Sequence, residues 1–304
     1  MLCIIRKSIF QIGNFRKHMY NAYGKKGQAS LCMTGTGGKK MCTAFVKYGN
    51  DYICGFNMDI NVGAFDWKLL MDEHVFAVTL SMAKGYAGMI PEGAVVPPEY
   101  TDFENGILRL HGVNRNGNFG NQLNNMRFPK APFEVGSDCV PLYYLVDTFI
   151  RGKHTMQEIE AYARTRKIVN LPKGSVDIPD MGMHSLLSDA EGHIMVVEPG
   201  NGYAVLSERY AAMSNFAVME LPEDFTPENF GYYGKDRYDT ALSILRNSGD
   251  DFSVQDGLRL LDAVKQTGEW GTRISFVYSG NEKAVYYALE HDFSNIRKHC
   301  FTPG

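Results

Sequence analysis

Short apolar runs separated by turn residues dominate the chain from residue 41 onward. Residues 42–48 and 52–60 are two such runs on either side of a Gly-Asn-Asp sequence, a pattern that predicts a β-hairpin. Another pair of runs flanks the Gly-Asn sequence at 280–281 and predicts a second hairpin. The strands predicted beyond the first hairpin span residues 184–188, 193–198, 203–207, 211–216, 273–279 and 284–290.

Four segments are predicted to be helices, and they occur in two pairs between the blocks of strands. The second segment opens at Thr155 with the sequence Thr-Met-Gln-Glu, which is a capping-box pattern. Blocks of strands separated by helix pairs favour an α+β sandwich, because neither regular βαβ alternation nor an all-β turn rhythm is present. No repeat or flexible linker divides residues 42–304, so we expect one domain there. The predicted helices span residues 140–150, 155–167, 236–246 and 254–266.

Residues 1–41 differ in character from the rest. They show no sustained periodicity, contain no Asp or Glu, and end in a Gly- and Lys-rich run before Met41. Three explanations compete: an autocleaved propeptide, a basic targeting leader, or upstream sequence translated from a mis-assigned start. The third is favoured, because the codons for residues 36–41 can form a bacterial ribosome-binding sequence followed by a start codon. We expect residues 1–41 to be unstructured, and removal of Met41 would make Cys42 the first residue.

Charge and cysteine content argue against several classes of function. The formal net charge is −3, and it becomes more negative once the basic N-terminal segment is set aside, so the domain lacks the cationic surface that nucleic-acid binding requires. The six cysteines are scattered, without zinc-ligand spacing or a disulfide framework, which argues against a metal site, and no other cofactor is expected. No apolar run approaches the roughly 18 residues of a membrane span. A cytoplasmic protein with neither nucleic-acid nor membrane partners is expected.

Cys42 is the first candidate for chemistry. It begins a predicted strand, and the hairpin places it across from residues 57–59, so Asp59 is expected nearby. A cysteine at the start of a chain has its own α-amino group, with an ordinary pKa of about 7.7–8.0, as a base for the thiol proton. The alternative is that Cys42 is a small buried apolar residue and Asp59 a solvated turn carboxylate.

The order of short motifs along the chain resembles one enzyme family. The residues around Cys42 and Asp59 read MCTAF and GFNMD, like the start of the choloylglycine hydrolase and penicillin V acylase family of cysteine N-terminal-nucleophile hydrolases. The resemblance covers essentially all of residues 41–304, and the order and approximate spacing of its fragments make it fairly specific. The other matching fragments are GVNRNG at 112–117, LN at 123–124, HSLLSD at 184–189, SN at 214–215, DFTP at 224–227 and Arg237.

The resemblance implies a four-layer αββα sandwich and hydrolysis of a linear, non-peptide C–N amide bond through an acyl-enzyme. It also implies these roles: Cys42 as nucleophile, Asp59 near its amino group, Asn124 and Asn215 around the oxyanion, and Arg237 as a charged support of the site. Taken alone, each supporting residue also fits a plain structural role. Asn124 lies in an Asn-rich, turn-like stretch, Asn215 could end a strand, and Arg237 could be an exposed residue in the first turn of a helix.

The implied substrate is a small-molecule N-acyl amide, such as penicillin V or a conjugated bile salt, with fatty N-acyl amides as a third option. This chain has Phe56 where the family usually has Arg. With Phe45 and Phe65 nearby in sequence, Phe56 suggests an aromatic environment and favours penicillin V-like aryl-acyl amides. The stretch between Asn215 and Arg237 is shorter than in the bile-salt hydrolases, where an extended loop helps tetramer assembly. The sequence therefore does not decide whether the protein forms a homo-oligomer.

Two rival interpretations fit the same sequence. Cys42, His184 and Asn215 occur in the order of a papain-like Cys-His-Asn site, although MCTAF lacks the papain-type cysteine motif and His184 also fits a buried core histidine. The other rival is a ligand-binding relative without catalysis. It is motivated by Phe56 and by the upstream residues, which would block the α-amino group if they were retained.

Overall fold

The computed structural model describes residues 42–60, 67–81, 107–126, 139–169, 181–219 and 234–302. The predictions made for residues 1–41, for Phe65 and for the stretch at 220–233 lie outside these ranges. Within them, no helix is both long enough and apolar enough to cross a bilayer.

The described ranges contain sixteen strands and four helices. In chain order the strands are β1 (Thr43–Tyr48), β2 (Tyr52–Asp59), β3 (Trp67–Met71), β4 (Val75–Ser81), β5 (Ile107–Asn114), β6 (Phe119–Gly120), β7 (Leu123–Met126), β8 (Cys139–Pro141), β9 (Lys167–Val169), β10 (Met181–Ser188), β11 (Ile194–Glu198), β12 (Gly202–Leu206), β13 (Tyr210–Met213), β14 (Thr272–Ser279), β15 (Ala284–Leu289) and β16 (Arg297–Cys300). The helices are α1 (Leu142–Ile150), α2 (Met156–Thr165), α3 (Lys235–Asn247) and α4 (Val254–Ala263).

Two large antiparallel sheets form the centre of the molecule. The first sheet has the order β13-β1-β2-β14-β15-β16, so the predicted N-terminal and C-terminal hairpins lie side by side through the β2–β14 pairing. The second sheet has the order β12-β11-β10-β6-β5-β4-β3, with β7 paired to β10 at the side. The short strands β8 and β9 form a separate parallel pair.

Three apolar clusters define the layers. The largest lies between the two sheets and includes Phe56, Phe76 and Phe276. A second cluster joins the outer face of the second sheet to α1 and α2, and a third joins the outer face of the first sheet to α3 and α4. The layers therefore follow the order α1–α2, second sheet, first sheet, α3–α4, which confirms the predicted αββα sandwich.

Local signals set several element boundaries. Thr155 caps α2 with a capping box, because its hydroxyl accepts from the Glu158 backbone and the Glu158 carboxylate accepts from the Thr155 backbone. Helix α1 begins two residues later than predicted, since Pro141 is its N-cap and the residue before a proline is disfavoured in a helix. The strand predicted over residues 211–216 ends at Met213, and the next two residues, Ser214 and Asn215, contact other parts of the molecule.

Candidate active site

The β1–β2 hairpin fixes the position of Cys42. Thr43 pairs with Asn57, so Cys42, one residue earlier, lies level with Met58 and next to Asp59. Cys42 is only 6% exposed and belongs to the apolar cluster between the sheets. The register thus brings the thiol and the Asp59 carboxylate into one neighbourhood, as the hairpin pattern predicts.

Arg237 reaches this neighbourhood from the opposite side of the first sheet. It lies in the first turn of α3 and is buried, which corrects the expectation that it might be an exposed helix residue. Its Nη1 donates to the Cys42 carbonyl at 2.7 Å and to the Thr43 hydroxyl at 2.8 Å. The guanidinium passes close to Gly234, where an added Cβ would lie 2.4 Å from Nη2. Gly234 also has a positive φ of 80°, so both space and backbone conformation require glycine there.

Asn215 and Asn124 complete the connection to the second sheet. Asn215 is fully buried, and its Oδ1 accepts from Arg237 Nη2 at 2.9 Å while its Nδ2 donates to the Asn124 carbonyl at 2.8 Å. Asn124 lies on β7 opposite Met183 of β10 and is also buried. A carboxamide carries two N–H groups, so Asn215 has a second donor besides the one directed at Asn124.

Asp59 is the acidic member of the network. Its Oδ2 lies 3.6 Å from Arg237 Nη1, and its Oδ1 accepts from the Thr272 hydroxyl at 2.5 Å. Thr272 is its direct partner across the β2–β14 pairing. Asp59 is fully buried, which corrects the alternative of a solvated turn carboxylate. The five residues predicted from the sequence therefore lie in one buried neighbourhood, although they come from five separate segments of the chain.

The thiol of Cys42 is held in its protonated form. Burial, followed by the negative charge of Asp59, raises the pKa of Cys42 to about 12, and Arg237 lowers it only in part. With Met41 attached, the thiol is therefore neutral at physiological pH, and a thiolate nucleophile needs a base close by.

Phe56, which stands where the resembled family usually has arginine, forms an uncharged aromatic pair with His111. The Phe56 ring stacks on His111 with centroids 4.2 Å apart, and both side chains are buried. Burial lowers the pKa of His111 to about 3, so its ring is neutral at physiological pH. Its Nδ1 accepts from the Gln122 backbone at 3.2 Å. His111 could not be found from the sequence, because it lies on β5, far from Phe56 along the chain.

Phe45 does not contribute to this aromatic environment, contrary to the sequence-based expectation. Alternation along β1 turns Phe45 toward the helices, where its ring contacts Phe252 edge-on at 6.1 Å. It crosses the strand pair over Gly55, where an added Cβ would lie 2.5 Å from the Phe45 ring. Phe56 lies opposite Ala44 and faces the other sheet. The two phenylalanines therefore serve different layers.

His184 is fully buried, and both of its ring nitrogens already face other groups. Nε2 lies 2.6 Å from the Ser214 carbonyl and Nδ1 lies 3.3 Å from Glu198 Oε1. The papain-like alternative therefore loses the base on which it depends. Ser214 itself donates from its hydroxyl to the Cys42 carbonyl at 3.3 Å, a contact that sequence reasoning missed.

A second carboxylate–imidazole group lies at the turn between β10 and β11. Asp189, Glu191 and His193 could offer metal ligands within 4.8 Å of one another. The Asp189 carboxylate already accepts from the backbone of Glu191 and His193 and from His193 Nδ1. These contacts satisfy the turn internally and do not point to a bound cation.

Solved structures of one hydrolase share the architecture. A mutant of conjugated bile acid hydrolase from Clostridium perfringens matches with a TM-score of 0.56 and 14% identity, covering 85% of this chain and 92% of that chain. A second variant of that hydrolase gives 0.54 and 14%, with 84% and 92% covered. Penicillin V acylase from Agrobacterium tumefaciens gives 0.49 and 14%, with 84% and 90% covered.

Similarity to known proteins is found in the structure and not in the sequence. No protein-family model and no curated protein matches it. At 14% identity the structural likeness shows the fold. It confirms, at that level, the resemblance drawn from the order of motifs: the chain shares the αββα fold with the conjugated bile acid hydrolase.

Proposed function

We propose that the protein is an N-terminal-nucleophile amidohydrolase that cleaves a linear, non-peptide C–N amide bond through an acyl-enzyme on Cys42. The observation that carries the proposal is the fork of Arg237, which binds the Cys42 carbonyl with one nitrogen and Asn215 with the other. A buried arginine with these partners holds the nucleophile and a carboxamide donor in a fixed relation. The shared fold supports the same conclusion.

The proposed reaction begins with the α-amino group of Cys42 accepting the thiol proton. The sulfur attacks the substrate carbonyl carbon, and the carbonyl oxygen becomes an oxyanion. The second N–H of Asn215, together with the Asn124 side chain, is proposed to stabilise that oxygen, and each such donor contributes about 2.7–4 kcal/mol. The amine leaves with the proton from the α-ammonium group, and water then releases the acyl group from the sulfur.

A free α-amino group is central to this proposal. The pKa of about 12 means that the thiol of the longer chain is almost entirely protonated at neutral pH. We therefore propose that the functional domain is 42–304 and that residues 1–41 are absent from, or removed from, the active protein.

The substrate is proposed to be an N-acyl amide with an aryl or otherwise apolar acyl group. The pair of Phe56 and His111 supports this choice, because a stacked, neutral surface stands in place of the family's arginine. Penicillin V is the preferred probe, and conjugated bile salts and fatty N-acyl amides are the alternatives.

The decisive experiment compares chains that start at Met1 and at Met41, with mass spectrometry to establish the first residue of each. Each chain is assayed with penicillin V, a glycine-conjugated bile salt and a fatty N-acyl amide. We expect turnover only where Cys42 is the first residue, with loss of turnover in Cys42→Ser and a covalent acyl adduct on Cys42 after rapid quenching. A chain that begins with Cys42 but hydrolyses none of the three would favour a ligand-binding relative and contradict the proposal.

A further inference from the structure

A buried histidine–glutamate pair lies directly behind the proposed oxyanion donors. His184 on β10 and Glu198 at the end of β11 both have fully buried side chains, and Nδ1 and Oε1 are 3.3 Å apart. The other ring nitrogen, Nε2, lies 2.6 Å from the Ser214 carbonyl. Ser214 directly precedes Asn215, so the histidine holds the backbone immediately before the donor residue.

Glu198 holds the same segment at its other end. Its Oε1 accepts from the Val218 backbone at 2.7 Å, and its Oε2 accepts from the Met219 backbone at 3.3 Å. Asn201 Nδ2 also donates to Oε2 at 3.3 Å. The segment 214–219 leaves the sheet after β13 and is therefore held at both ends by one histidine–glutamate pair.

The hydrogen-bond partners determine how many protons the pair carries. A backbone carbonyl only accepts, so Nε2 of His184 must carry a hydrogen toward Ser214. The remaining contact, between Nδ1 and Glu198 Oε1, is satisfied by one proton on either atom. In both cases the imidazole keeps one orientation, with Nε2 toward Ser214 and Nδ1 toward Glu198.

His184 also lies beside the strand that carries the second donor. It is the direct partner of Leu123 across the β7–β10 pairing, one residue before Asn124. The histidine therefore contacts the neighbours of both asparagines, Ser214 on one side and Leu123 on the other. The Asn215 Nδ2 to Asn124 carbonyl bond of 2.8 Å closes the arrangement.

We infer that His184 and Glu198 are positioning residues that orient the Asn215 carboxamide, and this inference rests on the proposed function of the site. They do not touch the reacting atoms. They fix segment 214–219 so that one N–H of Asn215 binds Asn124 and the other is directed at the substrate oxygen. Loss of the pair would leave the Cys42 thiol intact but would turn the Asn215 N–H away from the substrate oxygen.

The test uses the chain that begins with Cys42 and compares His184→Phe with His184→Gln. The phenyl ring fills the space without a donor, whereas the Gln amide can again donate to the Ser214 carbonyl. His193→Phe is the matched control, because His193 forms the other histidine–carboxylate pair on the same hairpin, with Nδ1 2.7 Å from Asp189 Oδ2. Glu198→Gln keeps an acceptor for the Val218 backbone and tests the second half of the pair.

We expect His184→Phe to lower kcat about 100-fold, the low end of what loss of one oxyanion donor costs. KM and the alkylation rate of Cys42 should stay within about threefold, because binding and the thiol are untouched. The kcat of His184→Gln should be at least about tenfold higher than that of His184→Phe. Glu198→Gln should lose less kcat than His184→Phe. The kcat of the control His193→Phe should remain within about twofold of wild type. A merely structural role would lower the folded fraction without this split between kcat and KM.

A crystal structure of His184→Phe gives a readout independent of turnover. We expect the Asn215 Nδ2 to Asn124 carbonyl bond to be broken or the carboxamide to be rotated. Unchanged kcat in His184→Phe, no recovery in His184→Gln, or an unmoved Asn215 would each overturn the inference. If wild type itself shows no Cys42-dependent turnover, the proposed function fails, while the position of Asn215 in the variant still decides the positioning role.

Discussion

Two buried arginine–aspartate pairs lie in opposite halves of the sandwich. Arg109 on β5 lies 3.5 Å from Asp147 on α1, and Arg237 on α3 lies 3.6 Å from Asp59 on β2. All four side chains are at most 6% exposed. Each pair joins a sheet to the helices that cover it, so distance and burial alone do not distinguish the two.

Their hydrogen bonds do distinguish them. In the first pair the aspartate gathers the hydrogen bonds: the Asp147 carboxylate accepts from the Arg109 backbone N–H at 2.9 Å and from Arg151 Nη1 at 3.2 Å. In the second pair the arginine gathers them: besides its contact with Asp59, Arg237 donates to the Cys42 carbonyl, the Thr43 hydroxyl and Asn215 Oδ1. The first pair neutralises a carboxylate between two layers, whereas the second uses a cation to gather groups around a thiol. The partners, rather than the pair itself, indicate function.

Replacing the arginine of each pair should give the largest difference between the pairs in activity and stability. We expect Arg237→Met to lower kcat/KM by at least about 1,000-fold, since it releases both Cys42 and Asn215, and to lower the free energy of unfolding by about 3–5 kcal/mol through the stranded Asp59. Arg109→Met should destabilise less, because Asp147 keeps Arg151, and kcat should stay within about threefold of wild type. Urea unfolding and steady-state kinetics check both variants. Equal loss of kcat in the two would show that the pairs are equivalent.

The carboxylates should differ in their effect on the thiol. Asp59 is the second cause, after burial, of the raised pKa of Cys42, so Asp59→Asn should lower that pKa and Asp147→Asn should not. Each unit of decrease raises the thiolate fraction of the longer chain about tenfold at a pH well below the thiol pKa, and the alkylation rate rises by a smaller factor because a less basic thiolate is a weaker nucleophile. Peptide mass spectrometry after iodoacetamide treatment separates Cys42 from the exposed Cys300. Identical pH profiles for wild type and Asp59→Asn would contradict this expectation.

The pH dependence of stability should reveal the structural pair. Burial raises the pKa of Asp147 above its ordinary value, although Arg109 and Arg151 lower it in part. A carboxyl with a raised pKa binds more protons when folded, so its contribution is full below the unfolded pKa of about 3.9 and is lost as pH rises through the folded pKa. The free energy of unfolding of wild type relative to Asp147→Asn should therefore fall with rising pH above about 4. Denaturant titrations at several pH values measure this difference, and a rising or flat difference would refute it.

An exposed pair provides the smallest expected effect. Arg259 Nη2 lies 2.5 Å from Asp256 Oδ1, but the Arg259 side chain is 72% exposed. We expect Arg259→Ala to change the free energy of unfolding by no more than about 0.5 kcal/mol and to leave kcat unchanged. If Arg259→Ala lowered the free energy of unfolding as much as Arg109→Met, burial would not explain the difference in stability between the exposed and the buried pairs.

Local patterns predicted the elements whose signals are local. Both hairpins, the four helices and the strands from residue 184 to residue 213 occur where turn residues and periodicity indicate. Strands β3 to β9 and β16 were not predicted, although β4 carries a local strand signal in its sequence Val-Phe-Ala-Val-Thr-Leu-Ser. Strand β7 reads Leu-Asn-Asn-Met and resembles a turn, yet it pairs with β10. Beside it, Asn121 exchanges side-chain hydrogen bonds with the Leu186 backbone, so part of the Asn-rich stretch serves the sheet.

The candidate site divides in the same way. The order of motifs was sufficient to name the five residues that the structure brings together, because their types and sequence order can be read directly. It could not identify Ser214, Thr272, His111 or Glu198 as their partners. Those contacts join segments that are distant in the chain, and no local periodicity records them.

By itself, the sequence determined the hairpin that carries Cys42 and Asp59, the layered fold class, and the identity of the candidate residues. Only the tertiary structure decided that Arg237 is buried against Cys42, that Phe45 and Phe56 face opposite layers, and that His184 contacts the Ser214 carbonyl. The physical reason is that side-chain direction and burial depend on which distant elements pack together. Local propensity fixes the elements, whereas long-range packing fixes what each side chain meets.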